Sequence, residues 1–251
     1  AAGLMAACKL MDNGQSVLLI ERNDRMGRKL AITGKGRCNV TNNCDINSLV
    51  SNTVKNGRFL YSSFSNFDSQ AAINFFENAG VNLKTERGNR VFPVSDNAKE
   101  ISGALKTLMH RLGVKIINSR VKSIKEENGQ IKGVTTEIGF TAFDKVILAT
   151  GGISYPRTGS DGDGHRMAKA LGHTCTALKP SLVALKANSN IPARLEGLAL
   201  KNVSINIIKD CKSVYTDFGE MVFTHNGVSG PMILSASAHL DRKNTFPYTL
   251  N

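Results

Sequence analysis

Residues 31–43, with the sequence AITGKGRCNVTNN, combine side chains that suit an anionic ligand. Gly34 and Gly36 have no Cβ, so the backbone at these positions can approach a bulky ligand closely. Arg37 follows directly, and its guanidinium suits an anionic oxygen. Asn39 and the polar residues after it can hydrogen-bond the loop into one shape. The segment predicts a loop that holds a large anion, and the alternative for Arg37 is a solvated loop cation.

Gly3 and Glu21 have the spacing of a dinucleotide-binding βαβ unit. In such a unit the third glycine packs the first helix against the sheet, and an acid at the end of the second strand binds the ribose hydroxyls. Glu21 lies 18 positions after Gly3, at the end of the apolar run SVLLI. The first two glycines of the fingerprint do not occur here, so a generic βα unit with a surface glutamate explains the same pair.

The run KVILATGG, residues 145–152, predicts a buried parallel strand that breaks into Gly151 and Gly152. Backbone amides are then bare at the carboxyl end of the strand, where ligands bind in open α/β sheets. A tight turn after a core strand is the alternative interpretation. Downstream, a helix is predicted to begin near Asp163 and to end at Gly172, with acids at its positive end.

No side chain stands out as a catalytic acid, base or nucleophile. Cys38 has no partner at C-x-x-C spacing, which favours a small packing residue over a redox thiol. His225, in THNGVSGP, is interpreted as a turn residue bonded to its own loop rather than as a general acid. Tyr155 can either donate a proton or pack beside Pro156. The catalytic residues are therefore left unassigned, and no spacing typical of a metal site is found.

Hydrophobic periodicity predicts the elements that carry these residues. SVLLIE, residues 16–21, is continuous in Val, Leu and Ile, as parallel strands are when both faces are covered. Helices are predicted over 1–10, 68–80, 97–113 and 229–239, and strands over 16–21, 114–118, 145–150 and 245–250, with a meander of small strands over 120–143. The alternation of helices and strands indicates an α/β fold.

The charge balance predicts an acidic partner but does not identify which kind. The sequence has 32 Lys+Arg against 20 Asp+Glu, a net charge of +12. Nucleic acid and a phosphorylated cofactor are both negative enough to match. The cations are scattered, only 6% of residues are aromatic and Trp is absent. This composition disfavours a stacking surface for single strands, so a nucleic-acid partner is not expected.

Cysteine content and apolar runs bound the cellular setting. The five cysteines are odd in number and lack disulfide or zinc spacing, so reduced thiols are expected. No apolar run approaches the roughly 20 residues of a membrane-spanning helix. Residues 1–11 lack the basic region of a signal peptide. A cytoplasmic protein with no membrane partner is predicted.

Three blocks carry a family resemblance: GRKLAITGKGRCNVTN, ILATGGISYPRTGSDGDGHRMAKALGH and FTHNGVSGPMILSAS. Together with Glu21 they resemble the BaiN-like family of bacterial FAD-dependent oxidoreductases, also labelled the aminoacetone oxidase family. The resemblance implies a glutathione-reductase-like Rossmann FAD-binding domain over 1–179, interrupted by a β-rich domain that begins over 180–251. It also implies FAD as cofactor, NAD(P)H as electron donor and hydride transfer involving a small organic substrate.

The same resemblance assigns cofactor-binding roles to individual residues. Gly3 would close the first helix against the sheet near the FAD pyrophosphate, and Glu21 would bind the adenosine ribose. The other expected contacts are Arg28 and Lys29 along the cofactor; Gly34, Gly36, Arg37, Cys38 and Asn39 around the pyrophosphate and flavin; Val121 at the adenine; and Ala149, Thr150, Gly151, Gly152, Tyr155 and Pro156 in the second turn.

The sequence also departs from the family pattern. The first strand with its two glycines is absent, as is the late segment that returns to the FAD domain. The resemblance therefore predicts a fragment of a protein of roughly 400 residues, a size that domain statistics allow. The alternative function is a basic nucleic-acid-binding or regulatory module on a degenerate nucleotide-binding fold.

Overall fold

The computed structural model describes residues 1–240 and 247–251. The chain divides into two compact units, Ala1–Cys175 and Thr176–Asn251. Within the described residues, no helix combines the length and the apolar character needed to cross a membrane.

The first unit mixes helices with small sheets. Its helices are α1 (Ala2–Asp12), α2 (Ile46–Ser51), α3 (Tyr61–Asn66), α4 (Ser69–Asn78), α5 (Ala98–Arg111) and α6 (Asp163–Ala170). Its strands are β1 (Leu18–Glu21), β2 (Thr41–Asn42), β3 (Leu83–Glu86), β4 (Arg90–Pro93), β5 (Lys115–Asn118), β6 (Val121–Glu127), β7 (Gln130–Thr136) and β8 (Gly139–Ala142). Short 3₁₀ turns cover Leu30–Gly36, Gly57–Leu60 and Pro156–Thr158.

Three small sheets organise these strands. β1 and β5 pair in parallel, with Leu18 opposite Lys115 and Glu21 opposite Asn118. β2, β4 and β3 form one antiparallel sheet, and β6, β7 and β8 form another. The predicted parallel strand and the predicted meander are confirmed. However, β1 is half-buried along its length rather than covered on both faces.

The amphipathic helices begin at the residues that their sequences predict. The Asp68 carboxylate accepts the Ala71 N–H at 2.7 Å at the start of α4. At the start of α5, the Asn97 side chain accepts the Lys99 N–H at 3.0 Å. Such caps satisfy amides that have no partner inside the helix. The buried face of α5 consists of Ala98, Ile101, Leu105 and Met109, at helical spacing.

The main core of the first unit lies between α1 and α5. Leu4, Ala7 and Cys8 of α1 pack with Leu105 and Met109 of α5. Beside it, a second cluster joins Cys38, Val81, Ala98 and Ile101. Because α5 contributes to both clusters, it holds α1 and the residues after the 30–36 turn in one body.

The predicted strand over 145–150 is wrong. The structure assigns no strand there, and Ile147 and Leu148 are 60% and 38% exposed. Among the described residues, β1 pairs with β5 alone, and no backbone hydrogen bond joins 145–150 to a strand. An apolar run becomes a strand only when a neighbouring strand satisfies its amides and carbonyls. Residues 145–150 have the composition of a strand, but they lack the neighbouring strand.

The second unit is an antiparallel sheet with a helix on it. Its elements are β9 (Leu185–Lys186), α7 (Ile191–Arg194), β10 (Ala199–Lys209), β11 (Lys212–Thr224), β12 (Gly227–Ser229), α8 (Pro231–His239) and β13 (Thr249–Leu250), with strand order β13-β10-β11-β12-β9. Met232 and Ile233 of α8 pack with Ile205 and Ile207 of β10. The predicted helix near 229–239 is confirmed. Of the strand predicted over 245–250, residues 249–250 form β13, and residues 245–246 lie outside the described residues.

Replacing Ile101 with Ala is expected to lower the free energy of unfolding of the first unit by about 2–5 kcal/mol, because a buried cavity forms. Ile101 is 1% exposed within the second cluster. Urea denaturation measures the change. The matched control is Lys106→Ala, an exposed position on the same helix, with an expected change of about 0.5 kcal/mol or less. Equal effects of the two substitutions would contradict this packing.

Candidate functional site

Gly3 lies in the first turn of α1, against the segment that precedes the second glycine pair. A Cβ placed on Gly3 would be 3.3 Å from the Cβ of Ala149 and 3.8 Å from Cδ1 of Leu19. The first contact is tighter than most Cβ contacts in proteins, so a side chain at position 3 would push Ala149 away. The structure thus brings Gly3 and Ala149 together at the amino end of α1.

Glu21 is the last residue of β1, and one of its two carboxylate oxygens already accepts hydrogen bonds within the protein. Its Oε1 accepts hydrogen bonds from both the backbone N–H and the Nδ2 of Asn23, each at 2.9 Å. Asn118 donates to the backbone oxygens of Glu21 and Asn23, at 2.9 and 2.6 Å. Among the described residues, Glu21 Oε2 has no hydrogen-bond partner. The turn after β1 is therefore fixed while one carboxylate oxygen is left unused.

Lys29 ties the segment after β1 to the second glycine turn. Its Nζ donates to the backbone oxygen of Ser154 at 2.6 Å and lies 3.2 Å from the Ser154 Oγ. Arg28 reaches Asn23 Oδ1 at 3.4 Å. Lys29 is thus the residue that joins the segment after β1 to residues 151–155, two regions predicted from separate motifs.

The turn that contains Gly151, Gly152 and Tyr155 has an unusual backbone. Gly151 and Tyr155 have positive φ angles of 78° and 52°. Pro156 begins a 3₁₀ turn, and Thr158 Oγ1 donates to the Tyr155 oxygen at 2.7 Å. Tyr155 is 69% exposed, so its ring is displayed rather than packed. A left-handed tyrosine is costly, which marks this residue as a site candidate.

Gly164 allows Thr150 to approach α6. A Cβ on Gly164 would overlap Thr150 Oγ1 and would lie within 3.7 Å of Leu148. Gly151 is similarly close to Ser160, whose Oγ would be 3.0 Å from a Cβ at position 151. The two glycines therefore let the second turn pack closely against the start of α6.

A cluster of arginines and aspartates, here named the Arg–Asp clasp, connects these elements. It consists of Arg22, Arg120, Arg166, Asp161 and Asp163. Arg22 Nη1 lies 2.7 Å from Asp161 Oδ2 and 2.9 Å from Asp163 Oδ2, and its Nη2 donates to the Gly159 oxygen at 2.6 Å. Arg120 Nη2 reaches both aspartates, at 3.1 and 2.9 Å. Arg166 also pairs with Asp163.

The clasp is partly shielded from solvent, which strengthens its hydrogen bonds. The Asp163 side chain is 15% exposed and that of Arg22 is 23% exposed. The hydrogen bond from Arg120 lowers the pKa of Asp163, and the hydrogen bond from Arg22 lowers the pKa of Asp161. The clasp fixes the end of β1, the start of β6 and the loop before α6 in one arrangement.

Val121 begins β6, directly after the clasp residue Arg120. It lies opposite Thr136 in the ladder with β7. The neighbouring Arg120 oxygen accepts the Glu137 N–H at 3.1 Å. Val121 is thus held by the small sheet beside the clasp, on the same side of the unit as Asp161.

The loop predicted to hold an anion is shaped by left-handed residues. Gly34, Lys35 and Gly36 have φ angles of 56°, 59° and 86° in succession. A Cβ on Gly34 would lie 3.0 Å from the Asn39 nitrogen and 3.2 Å from Phe92 Cε1, so the loop closes tightly there. In the orientation that satisfies its amide, Asn39 donates to the oxygens of Val91 and Thr41 at 3.2 and 2.9 Å.

Arg37 is bound by acids within the protein. Its Nη2 lies 2.6 Å from Glu86 Oε2, its Nε lies 3.4 Å from Asp96 Oδ1, and its guanidinium carbon stands 3.9 Å above the Phe92 ring. Lys84 pairs with the same two acids, at 3.5 and 2.8 Å. The hydrogen bond from Arg37 lowers the pKa of Glu86. An external anion would compete with these carboxylates for Arg37.

Cys38 is directed into the core. Its side chain is 3% exposed and packs with Val81, Ala98 and Ile101, although its φ of 61° is left-handed. Burial raises the pKa of the Cys38 thiol. The described hydrogen bonds and ion pairs do not join residues 34–39 to Glu21 or to residues 151–155. The predicted contacts therefore form two groups.

His225, in the second unit, does not bond to its own loop as predicted. Its Nδ1 lies 3.1 Å from Glu196 Oε2, and both side chains are more than half exposed. The sequence interpretation assumed a local partner because THNG is a turn, but a residue 29 positions earlier in the chain supplies it.

Comparison with known proteins identifies the family. The model of the HI0933-like protein Rossmann domain matches residues 1–237. The chain belongs to this family. Both the Rossmann-like FAD-binding fold and the BaiN-like group of FAD-dependent oxidoreductases, predicted from the motifs, are confirmed.

Three curated relatives extend over nearly all of this HI0933-like chain. A 3-dehydro-bile acid delta(4,6)-reductase from Clostridium scindens is 30% identical over 96% of this chain and 58% of that protein. Ribosomal RNA dihydrouridine synthases from Haemophilus influenzae and Escherichia coli are each 27% identical, over 94% and 95% of this chain and 59% and 58% of theirs. The chain spans less than two thirds of the length of these relatives.

Sequence reasoning missed the Arg–Asp clasp. It placed Asp161 and Asp163 only as acids at a helix start, and it gave no role to Arg22 or Arg120. The one available signal is that Arg22 directly follows Glu21. Arg22 is the cation next to the last residue of β1, and its ion pairs with Asp161 and Asp163 fix the end of that strand.

Replacing Asp163 with Asn is expected to lower the free energy of unfolding of the first unit by roughly 1.5–3 kcal/mol, which is the range for hydrogen bonds to charged groups. Urea denaturation at pH 7 measures it. The control is Asp24→Asn, because Asp24 is 74% exposed and its nearest cations are 3.7 and 4.0 Å away. An effect of Asp163→Asn no larger than that of the control would show that the clasp does not hold the unit.

The clasp also predicts a dependence of stability on acid. Because the pKa values of Asp161 and Asp163 are lowered in the folded state, their contribution is present above the unfolded Asp value of about 3.9 and is lost as pH falls through the folded values. The wild type should therefore lose stability more steeply below pH 4 than Asp163→Asn. Parallel pH profiles of the two proteins would count against the clasp.

Proposed function

We propose that the protein containing this chain is an FAD-dependent oxidoreductase that passes a hydride between NAD(P)H, FAD and a small organic substrate. The observation that carries this proposal is that Glu21 lies at the carboxyl end of β1 and that the segment after it is joined to the second glycine turn, where Lys29 contacts Ser154. Ligands bind at that end of the strands in open α/β folds. Membership of a family of FAD-dependent oxidoreductases supports the same assignment.

The residues at this end of β1 fit the adenosine half of FAD. Glu21 Oε2 is a carboxylate oxygen without a partner among the described residues, and a ribose hydroxyl would donate to it. Gly3 lets the start of α1 pack against Ala149, beside the second glycine turn. The α1 amino terminus adds bare amides and a partial positive charge next to Gly3. We assign Glu21 to the ribose and α1 to the pyrophosphate.

The flavin itself supplies the hydride chemistry, and the chain supplies position and charge. The loop at Gly34 and Gly36 is proposed to contact the cofactor through backbone amides that its left-handed residues expose. Arg37 holds this loop through Glu86 and Asp96, which is a different role from the direct anion contact expected from the sequence. Lys29, in contact with Ser154, orients the second turn toward the cofactor.

The substrate class is proposed from the names of the relatives. One acts on bile-acid double bonds and the others convert uridine to its dihydro form, as their names state. A common reaction would add one hydride and one proton across a carbon–carbon double bond. We therefore propose an unsaturated organic compound as the small substrate.

A nucleobase in RNA is the second candidate substrate. Two relatives are named ribosomal RNA dihydrouridine synthases, and the net charge of +12 would favour association with a phosphate backbone. Transfer of reducing equivalents to uracil would use the same cofactor site. The small organic compound and the RNA nucleobase would use the same cofactor site. They differ in the surface outside the cofactor site that must bind the substrate.

The purified protein is expected to hold FAD, with a flavin absorbance band bleached by NADH or NADPH. Replacing Glu21 with Gln should weaken FAD binding about tenfold, because a neutral amide accepts ribose hydrogen bonds less strongly than a carboxylate. Fluorescence titration with FAD measures the dissociation constant. Glu77→Gln, at an exposed position of α4, is the control and should leave the constant unchanged.

Two outcomes would contradict the proposal. A colourless protein that does not bind added FAD would refute the cofactor assignment. A flavin-bearing protein in which Glu21→Gln and Glu77→Gln bind FAD equally would keep the cofactor but remove Glu21 from the ribose site.

A further inference from the structure

Large apolar side chains are displayed on one short segment outside the residues assigned to the cofactor. Phe59 is 84% exposed, Tyr61 is 53% exposed and Val54 is 43% exposed. The cations Lys55 and Arg58 are exposed between them. These five residues are named the Phe59 surface. Isolated exposed apolar residues are ordinary, but two aromatic rings and two cations within eight residues form a patch that suits a partner.

The backbone beneath the Phe59 surface is fixed. Gly57 is buried, and a Cβ there would overlap the Val50 oxygen, so only glycine fits. Asn56 is left-handed with φ 57°, and its oxygen accepts the Phe59 N–H at 3.0 Å. Exposure of Phe59 is therefore a consequence of an ordered turn. A rigid aromatic ring loses little entropy when it binds a flat partner.

The charge along this segment of the chain is one-sided. Residues 46–67 contain no Asp or Glu. The acids at either end are committed to helix caps, since Asp45 accepts the Ser48 N–H and Asp68 accepts the Ala71 N–H, each at 2.7 Å. Lys55 and Arg58 thus face solvent without an ion pair among the described residues. This electrostatic pattern complements a polyanion.

The turn presents an open surface formed by Asn56, Gly57, Arg58 and Phe59, beside the aromatic ring. An aromatic face, a guanidinium and a carboxamide are the groups that stack on and hydrogen-bond to unpaired bases. A lipid surface would instead require a larger apolar face and more cations than two.

We propose that the Phe59 surface binds single-stranded RNA. Phe59 stacks on an unpaired base, Asn56 and Arg58 contact its edge and phosphate, and Lys55 contacts the adjacent backbone. This proposal extends the second candidate function, RNA as substrate, and rests on it for the identity of the biological partner. The residues that carry the proposal are separate from the flavin site. Whole-chain composition disfavoured such a surface because an average over 251 residues hides one acid-free segment.

The test measures fluorescence anisotropy of a labelled 12-nucleotide poly(U) RNA with the purified protein at several salt concentrations. Phe59→Ala is expected to weaken binding by roughly fivefold or more, the loss of one stacked base. Arg58→Ala should lower the slope of log affinity against log salt by about 0.7, the loss of one phosphate contact to a single strand. Phe218→Ala is the matched control, since Phe218 is 58% exposed in the second unit and should leave binding unchanged.

Circular dichroism melts and the flavin spectrum of each variant separate loss of contact from loss of fold or cofactor. Wild-type-like RNA binding by Phe59→Ala, or equal weakening by Phe218→Ala, would overturn the inference. So would binding to anionic lipid vesicles in place of RNA, or a dimer that Phe59→Ala dissociates. Flavin without RNA binding would refute this surface alone, whereas RNA binding by a flavin-free protein would refute the oxidoreductase proposal alone.

Discussion

The Arg–Asp clasp is the interaction on which the candidate cofactor site depends. It joins a residue that follows β1, a residue that precedes β6 and two acids at α6, so sequence positions 139 and 141 apart meet within 3 Å. Each aspartate receives bonds from two or more guanidinium groups, and planar guanidinium forks fix direction as well as distance. Together with the contact of Lys29 with Ser154, the clasp sets the separation of Glu21 and the second glycine turn. Glu21, which is proposed to bind the ribose, can do so only when the opposite wall of the site is equally fixed.

Local signals explain what could be predicted from the sequence. α4 and α5 were predicted from an N-cap, a 3.6-residue period and a terminal glycine, and all three are properties of consecutive residues. The clasp could not be predicted from the sequence, because Asp161 becomes the partner of Arg22 only when the tertiary fold brings two segments that are distant in sequence together. The prediction of a strand over 145–150 failed for a related reason. Strand formation depends on a neighbouring strand, and apolar composition carries no information about whether one is present.

Arg37 shows a different limit of sequence reasoning. Its position directly after Gly34 and Gly36 suggested a contact with an external anion, and the structure places Glu86 and Asp96 beside it. A cation binds whichever carboxylates the fold brings near, and these came from a strand and a turn about 50 and 60 positions away. The motif still identified the loop correctly as a shaped one. What it could not identify was which groups of the loop remain free.

The burial of Cys38 has a consequence for redox chemistry. Only the thiolate reacts readily with peroxides and alkylating agents, and a buried thiol with a raised pKa supplies very little of it at neutral pH. The thiol in the shaped loop is therefore insulated from sulfenic acid formation, whereas the exposed Cys211 is open to it. The shaped loop can thus carry a cysteine without becoming a target of oxidants.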